Sequence, residues 1–294
     1  MSRKIVGASL GAGVAGALAG VAAYAARQIS GPTRAERRDL TFTFTPFETG
    51  VDYEAIEFTT SDGLRISGWW LPRPDSKQVV IGCHGHRGSK HELLGIGSGL
   101  WRAGMNVLLF DFRGRGASAN SICSLAYHEV ADLLGAVSYA TARRPDATIG
   151  VIGYSMGAAV SLLAAAIEPR IRRVVADSSF AVMRDVVTHA VNRRRLPSRA
   201  VVAIADRVTG HRYGYRFDSV RPVDVIAQIG PRPVMLIHGT NDTMIPVRHA
   251  YHLYNAASSP KELWIVTGVA HCGAYFLDRA QYVQRIASFM AAES

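Results

Sequence analysis

Cysteine is scarce in this sequence. Cys83, Cys123 and Cys272 are the whole set, an odd number without metal-ligand spacing. They exclude a disulfide framework as the source of stability and tilt the reading toward a reducing compartment. Cys83 ends an apolar run and reads as a small buried hydrophobe. Internal repeats are also lacking, which excludes solenoids and propellers, and no low-complexity tract appears beyond the N-terminus. No nucleic-acid-binding motif is present, and aromatics do not interleave with basic residues as a stacking platform requires. The formal charge of +10 therefore points to a lipid headgroup surface or an acidic substrate rather than to nucleic acid. Neither a metal nor an organic cofactor is expected.

Charge is missing altogether from Ile5 to Ala26. At roughly 1.5 Å per residue, a helix of that length would just span a hydrocarbon core of roughly 30 Å. Residues 1–26 are accordingly expected to form a single-pass membrane anchor, with Gly7-x-x-x-Gly11 and Gly16-x-x-x-Gly20 offering close helix contact. A cleaved signal peptide, with Ala23-Tyr24-Ala25 as the small-residue site, and a soluble Ala/Gly helix or tail are the rivals. Arg27, Arg34, Arg37 and Arg38 behind the segment slightly outnumber Arg3 and Lys4 before it, which leans the rest of the chain to the cytoplasmic face. Residues 27–50 read as a polar, basic linker.

What is present beyond that is one domain, 51–294, in a chain of 294 residues that is 48% hydrophobic and long enough for one large core. Tyr53–Thr60 alternates at period two, Ser61-Asp62-Gly63 turns, and Leu64–Leu71 returns as the second arm of a hairpin. Buried-type strands then alternate with helices: 78–83, 106–112, 148–153, 172–177, 233–238 and 262–266. The alternation predicts an α/β fold, a mostly parallel central sheet of about eight strands with helices on both faces. Residues 178–222 break it with two amphipathic helical stretches around Pro197. This small helical insertion reads as a lid, and from Arg184 to Arg221 it carries nine arginines against Asp185, Asp206 and Asp218. A face toward anionic headgroups or a pocket for an anionic substrate such as a phospholipid or acyl-thioester would use that charge.

The chemistry is carried by Gly153-Tyr-Ser-Met-Gly157, placed between a β-branched strand and an Ala-rich helix. G-x-S-x-G in that context sets a serine on a strained strand-to-helix turn. Ser155 is the candidate nucleophile. A serine needs an imidazole to take its proton, and His271, in a glycine-bearing loop after the last strand, is the candidate base. His238 lies within a strand and His249 and His252 on a helical stretch, so these read as packing or surface residues. Two aspartates at strand ends, Asp242 and Asp177, are rivals for the acid that would orient the imidazole. Asp111 and Arg113 read as a structural pair that stiffens a turn-rich loop, and Cys272 as a core side chain before a redox thiol.

These motifs, in this order, make the chain resemble the α/β-hydrolase superfamily from about Tyr53 to Met290, and most of all membrane-anchored bacterial serine hydrolases with a short lid. His84-Gly85, Asp111-x-Arg113-Gly-x-Gly-x-Ser118, Gly153-x-Ser155-x-Gly157, Gly239-Thr-Asn-Asp242-x-x-x-Pro246 and Gly268-Val-Ala-His271 carry the resemblance. It implies a Ser155, Asp242, His271 triad and an oxyanion hole from the backbone N–H groups of His86 and Met156. It also implies cleavage of an ester or thioester of a small-molecule or lipid substrate through an acyl-enzyme. Amide cleavage by a peptidase or acyl-peptide hydrolase, and a non-catalytic binding or scaffold protein, are the alternatives. The oligomeric state is left open.

Overall fold

The computed structural model describes residue 16, residues 18–31 and residues 44–292. Eight strands form one sheet in the order β1-β2-β4-β3-β5-β6-β7-β8. They are β1 (Glu54–Thr59), β2 (Arg65–Leu71), β3 (Gln78–Cys83), β4 (Asn106–Phe110), β5 (Thr148–Tyr154), β6 (Ile171–Asp177), β7 (Val234–Gly239) and β8 (Lys261–Val266). β2 runs antiparallel to both its neighbours, and the remaining pairs are parallel. The helices are α1 (18–30), α2 (Leu94–Arg102), α3 (Glu129–Arg143), α4 (Met156–Ile167), α5 (Met183–Arg193), α6 (Ser198–Tyr213), α7 (Pro222–Val225), α8 (Arg248–Ala256), α9 (Ala274–Leu277) and α10 (Arg279–Ala291).

The central strands are apolar without a break because both of their faces are covered. Val79 and Ile81 of β3 point into a cluster with Leu133 and Val137 of α3 and Val160 and Leu162 of α4. Val80, between them, points to the other face, against Ile96 and Leu100 of α2 and Ile286 and Phe289 of α10. β4, β5 and β7 are buried almost end to end, as expected where helices cap both sides of a parallel sheet. β3 connects toward β4 on one side and β5 toward β6 on the other, so the chain reverses its winding between β3 and β5. In such sheets the crevice beyond the carboxyl ends of these two strands is where ligands bind.

The membrane anchor expected for residues 1–26 does not hold. Among the described residues no helix is long and apolar enough to cross a membrane. Residues 1–15 and 17 lie outside the described residues, but the rest of that stretch is a helix laid on the domain. Ala22 and Ala26 of α1 are fully buried in the core cluster of α3, α4 and the insertion. Ser30 shares a buried 2.6 Å hydrogen bond with Tyr215, and the Ile29 carbonyl accepts from His86 Nε2 at 2.8 Å. An uncharged Ala-rich stretch satisfies a protein surface as well as it would satisfy lipid, and small side chains let the helix come close. Sequence apolarity does not separate the two.

The loop after β4 is stiff, though not through the pair expected. Asp111 accepts from Lys90 Nζ at 2.5 Å, with both side chains nearly buried, and from the backbone N–H groups of Lys90 and Ala117. Arg113 instead forks onto Asp132 and Asp62. Each of the two finds its partners well away along the chain rather than in the other.

Candidate active site

Ser155 sits between the last residue of β5 and the first of α4 with φ 53° and ψ −112°, a backbone state that costs a non-glycine residue on the order of 1–3 kcal/mol and is kept only where its surroundings enforce it. The enforcement is visible in the two glycines. A Cβ on Gly153 would lie 2.2 Å from the Gly157 carbonyl oxygen, and one on Gly157 would lie 2.2 Å from that of Cys83. The turn is thus closed on itself and pressed onto the end of β3. The Ser155 N–H donates to the Asp177 carbonyl at 2.9 Å, tying the turn to β6 as well.

His271 follows β8 in a loop that touches the end of β7, where a Cβ on Gly239 would lie 2.2 Å from the Val269 carbonyl oxygen. This contact brings the acid loop and the histidine loop together. His271 Nδ1 lies 2.6 Å from Asp242 Oδ2 and its Nε2 lies 2.9 Å from Ser155 Oγ. An ionised carboxylate only accepts, so Nδ1 carries the proton. Nε2 is then the acceptor, and the Ser155 hydroxyl donates to it.

The candidate acid is fully held. Asp242 Oδ1 accepts from the backbone N–H groups of Met244 at 2.9 Å and Ile245 at 2.8 Å. Burial pushes its carboxyl upward, but hydrogen bonds from His238 and His271 and from the Ile245 N–H outweigh burial and hold it well below the usual carboxylate range. Asp242 therefore stays ionised and able to stabilise an imidazolium. His238, which sequence reasoning assigned to packing, stands behind it: Nε2 lies 3.3 Å from Asp242 Oδ2 and donates to the Ile245 carbonyl at 2.7 Å. Its signal in the sequence was a place near the end of β7, four residues before Asp242 in the loop that follows.

At the opposite side of the serine, Met156 is the first residue of α4 and its N–H is one of the donors a helix leaves without an intrahelical acceptor. Gly157 touches the carbonyls of Cys83 and His84, so the start of α4 abuts the turn His84-Gly85-His86. That turn is braced from below. Gly85 N–H donates to Glu92 Oε2 at 2.6 Å, and His84 Nε2 accepts the Phe112 N–H at 3.0 Å. The His86 ring is pushed down to about 4 by burial first and by the charge of Arg115; neutral, it donates to the carbonyl of Ile29 of α1, a partner that no local signal in the chain foretold.

Asp177, the rival acid, ends β6 close by but makes no hydrogen bond to His271; its oxygens go to Ser178 and Tyr282. Burial pushes the Cys272 thiol well above its ordinary value, which removes the thiolate that reactivity would need. Of the insertion, α5 reaches this rim: Arg193 and His189 both donate to the Thr243 carbonyl beside Asp242. Among the described residues no group of three or more His, Cys, Asp or Glu side chains has the arrangement of a metal site.

The sequence profile of the family described as alpha/beta hydrolase fold matches residues 78–199. The YqkD protein of Bacillus subtilis is 30% identical over 251 residues, 84% of this chain and 82% of its own length. The YfhR protein of Escherichia coli K12 is 27% identical over 240 residues, 79% of this chain and 78% of its own. Among solved structures, the esterase Pf2001 of Pyrococcus furiosus superposes with a TM-score of 0.72 at 25% identity, covering 87% of this chain and 98% of its own.

Proposed function

The chain belongs to the α/β-hydrolase fold family, and from that premise we propose that it is a serine hydrolase, cleaving carboxylic esters or thioesters through an acyl-enzyme on Ser155. The observation that carries the proposal is the unbroken row from Asp242 Oδ2 to His271 Nδ1 at 2.6 Å and from His271 Nε2 to Ser155 Oγ at 2.9 Å. The esterase activity of the superposed Pyrococcus furiosus protein agrees with it.

In this reading Ser155 Oγ attacks the acyl carbonyl carbon while its proton passes to His271 Nε2. Asp242 holds the imidazolium, and the N–H groups of Met156 and His86 meet the oxygen that gains charge, each worth about 3 kcal/mol. Collapse of the adduct breaks the bond to the alkoxide or thiolate leaving group, which takes the proton from His271. Water then repeats the sequence: His271 accepts its proton, its oxygen attacks the acyl carbon, and the proton returns to Ser155 as the acid is released.

The insertion adds a preference. Arg193, Arg194 and Arg195 are exposed at the end of α5, the end that touches Thr243 next to the acid. We place the anionic part of an acidic ester or acyl-thioester there. Matched p-nitrophenyl esters and amino-acid p-nitroanilides test the reaction class. Ester turnover lost in Ser155→Ala supports the assignment, anilide turnover exceeding ester turnover replaces it with a peptidase, and neither activity replaces it with a binding protein.

A further inference from the structure

The serine-hydrolase reading accounts for Ser155, His271 and Asp242 and leaves a second buried carboxylate beside them unused. Asp177 is 1% exposed and Ser178 is fully buried. Their hydrogen bonds run to both halves of the site. The Asp177 carbonyl accepts the Ser155 N–H at 2.9 Å. Its side chain accepts from the Ser178 hydroxyl at 2.9 Å through Oδ1 and from the Tyr282 hydroxyl at 2.9 Å through Oδ2. Ser178 Oγ, with its own proton given to Asp177, accepts the N–H of Cys272 at 3.0 Å. Cys272 is the residue after His271. The Ser178 N–H donates to the Ile237 carbonyl at 2.8 Å, on the strand that carries His238.

Three residues in this small network have positive φ without being glycine: Ser155 at 53°, Ser178 at 56° and Cys272 at 52°. Each is held by a hydrogen bond of the network. A left-handed residue outside glycine persists where neighbours over-determine it, and here the same neighbours join the nucleophile turn to the histidine loop.

We propose that Asp177 and Ser178 are positioning residues, a strut across the end of β6 that fixes the Ser155 backbone with a carbonyl and the His271 loop with a hydroxyl, so setting the distance between Oγ and Nε2. Asp177 is then neither the triad acid nor a stray buried charge. Its carboxylate orients the Ser178 hydroxyl so that a lone pair faces Cys272, and the Tyr282 hydroxyl on α10 keeps the carboxylate from turning. Burial raises the Asp177 carboxyl to about 6, a cost that only a fixed set of donors makes tolerable.

The inference rests on the serine-hydrolase reading, and the test separates the two. Ser178→Gly keeps the backbone free to hold positive φ and removes the hydroxymethyl side chain with its hydrogen bonds. Wild type, Ser178→Gly and Tyr282→Phe are compared in p-nitrophenyl butyrate hydrolysis, in labelling by a fluorophosphonate probe, and in the downfield proton resonance of His271 Nδ1–H. For Ser178→Gly we expect kcat and the labelling rate to fall roughly tenfold, because the reacting atoms lose their set geometry. KM should stay within about twofold, since substrate contacts are untouched, and the proton resonance should broaden or move upfield. Tyr282→Phe, which leaves the core shape intact, should shift the same quantities in the same direction by roughly two- to fivefold. An active wild type with kcat and resonance unchanged in both variants would overturn the strut alone. A wild type that neither turns over nor labels would overturn the serine-hydrolase reading and the strut with it.

Discussion

Two aspartates at the ends of neighbouring strands, Asp177 on β6 and Asp242 just after β7, are driven in opposite directions by what touches them. Asp242 has donors enough to stay ionised, whereas Asp177 is buried with two hydroxyls and no cation in hydrogen-bonding reach. The consequences for stability differ in sign. A carboxyl whose folded pKa lies below its unfolded value stabilises the fold above about pH 4 and loses that contribution as pH falls. Asp242 behaves this way. Asp177, raised from 3.8 to about 6, does the reverse: its penalty is absent below about pH 4, grows between 4 and 6 and is complete above, on the order of 2–3 kcal/mol. Thermal midpoints of wild type and Asp177→Asn at pH 4 and pH 7 check this. The difference between them should move in the variant's favour as pH rises, and a constant difference would contradict it. Asp242→Asn is expected to lower kcat by roughly 10³–10⁴, because an amide lets the imidazole take the wrong tautomer. Steady-state ester hydrolysis reads this directly. Had Asp177 been the acid, the loss would follow Asp177→Asn instead.

The elements that carry these residues were legible to the degree that their signals are local. The apolar runs of β3 to β8 and the glycines flanking Ser155 state their roles within a few residues, because a buried strand or a crowded turn restricts its own composition. Gly157→Ala is expected to part α4 from the β3 turn, destabilising the protein by about 1–3 kcal/mol and lowering kcat; urea unfolding and ester turnover measure the two. Partners far along the chain were not legible. Nothing within the loop after β4 says that Arg113 reaches Asp62 and Asp132 while Asp111 takes Lys90. The same limit misread α1, since burial against α3 and α4 and burial in lipid ask for the same residues. Its docking predicts a result that an anchor would not. Ala26→Asp places an unpaired charge in that contact and is expected to free α1, seen as new proteolytic cleavage around residues 18–31 with the rest of the domain resistant. Cleavage no faster than in wild type would contradict the packing.

Across the whole molecule the formal charge of +10 is less free than composition suggests. Arg184 and Arg216 share Asp206, Arg184 also holds Asp218, and Arg221 pairs with Asp224. Three of the exposed arginines, Arg193, Arg194 and Arg195, stand together at the junction of α5 and α6, beside the loop of Asp242, where they can draw an anion toward the rim. The triple variant Arg193→Gln, Arg194→Gln, Arg195→Gln is expected to lower kcat/KM for an anionic ester while leaving a neutral ester within about twofold, an effect that shrinks with added salt. Equal losses on both esters would remove the steering role. Such charge placement, like the meeting of Ser155, Asp242 and His271 from three separate strand ends, is a property of the assembled sheet rather than of any one segment. The central claim is tested most directly by intact-protein and peptide mass spectrometry after exposure to a fluorophosphonate. One adduct, on the peptide containing Ser155 and absent from Ser155→Ala, is the result expected; an adduct that survives Ser155→Ala, or none on the wild type, would contradict it.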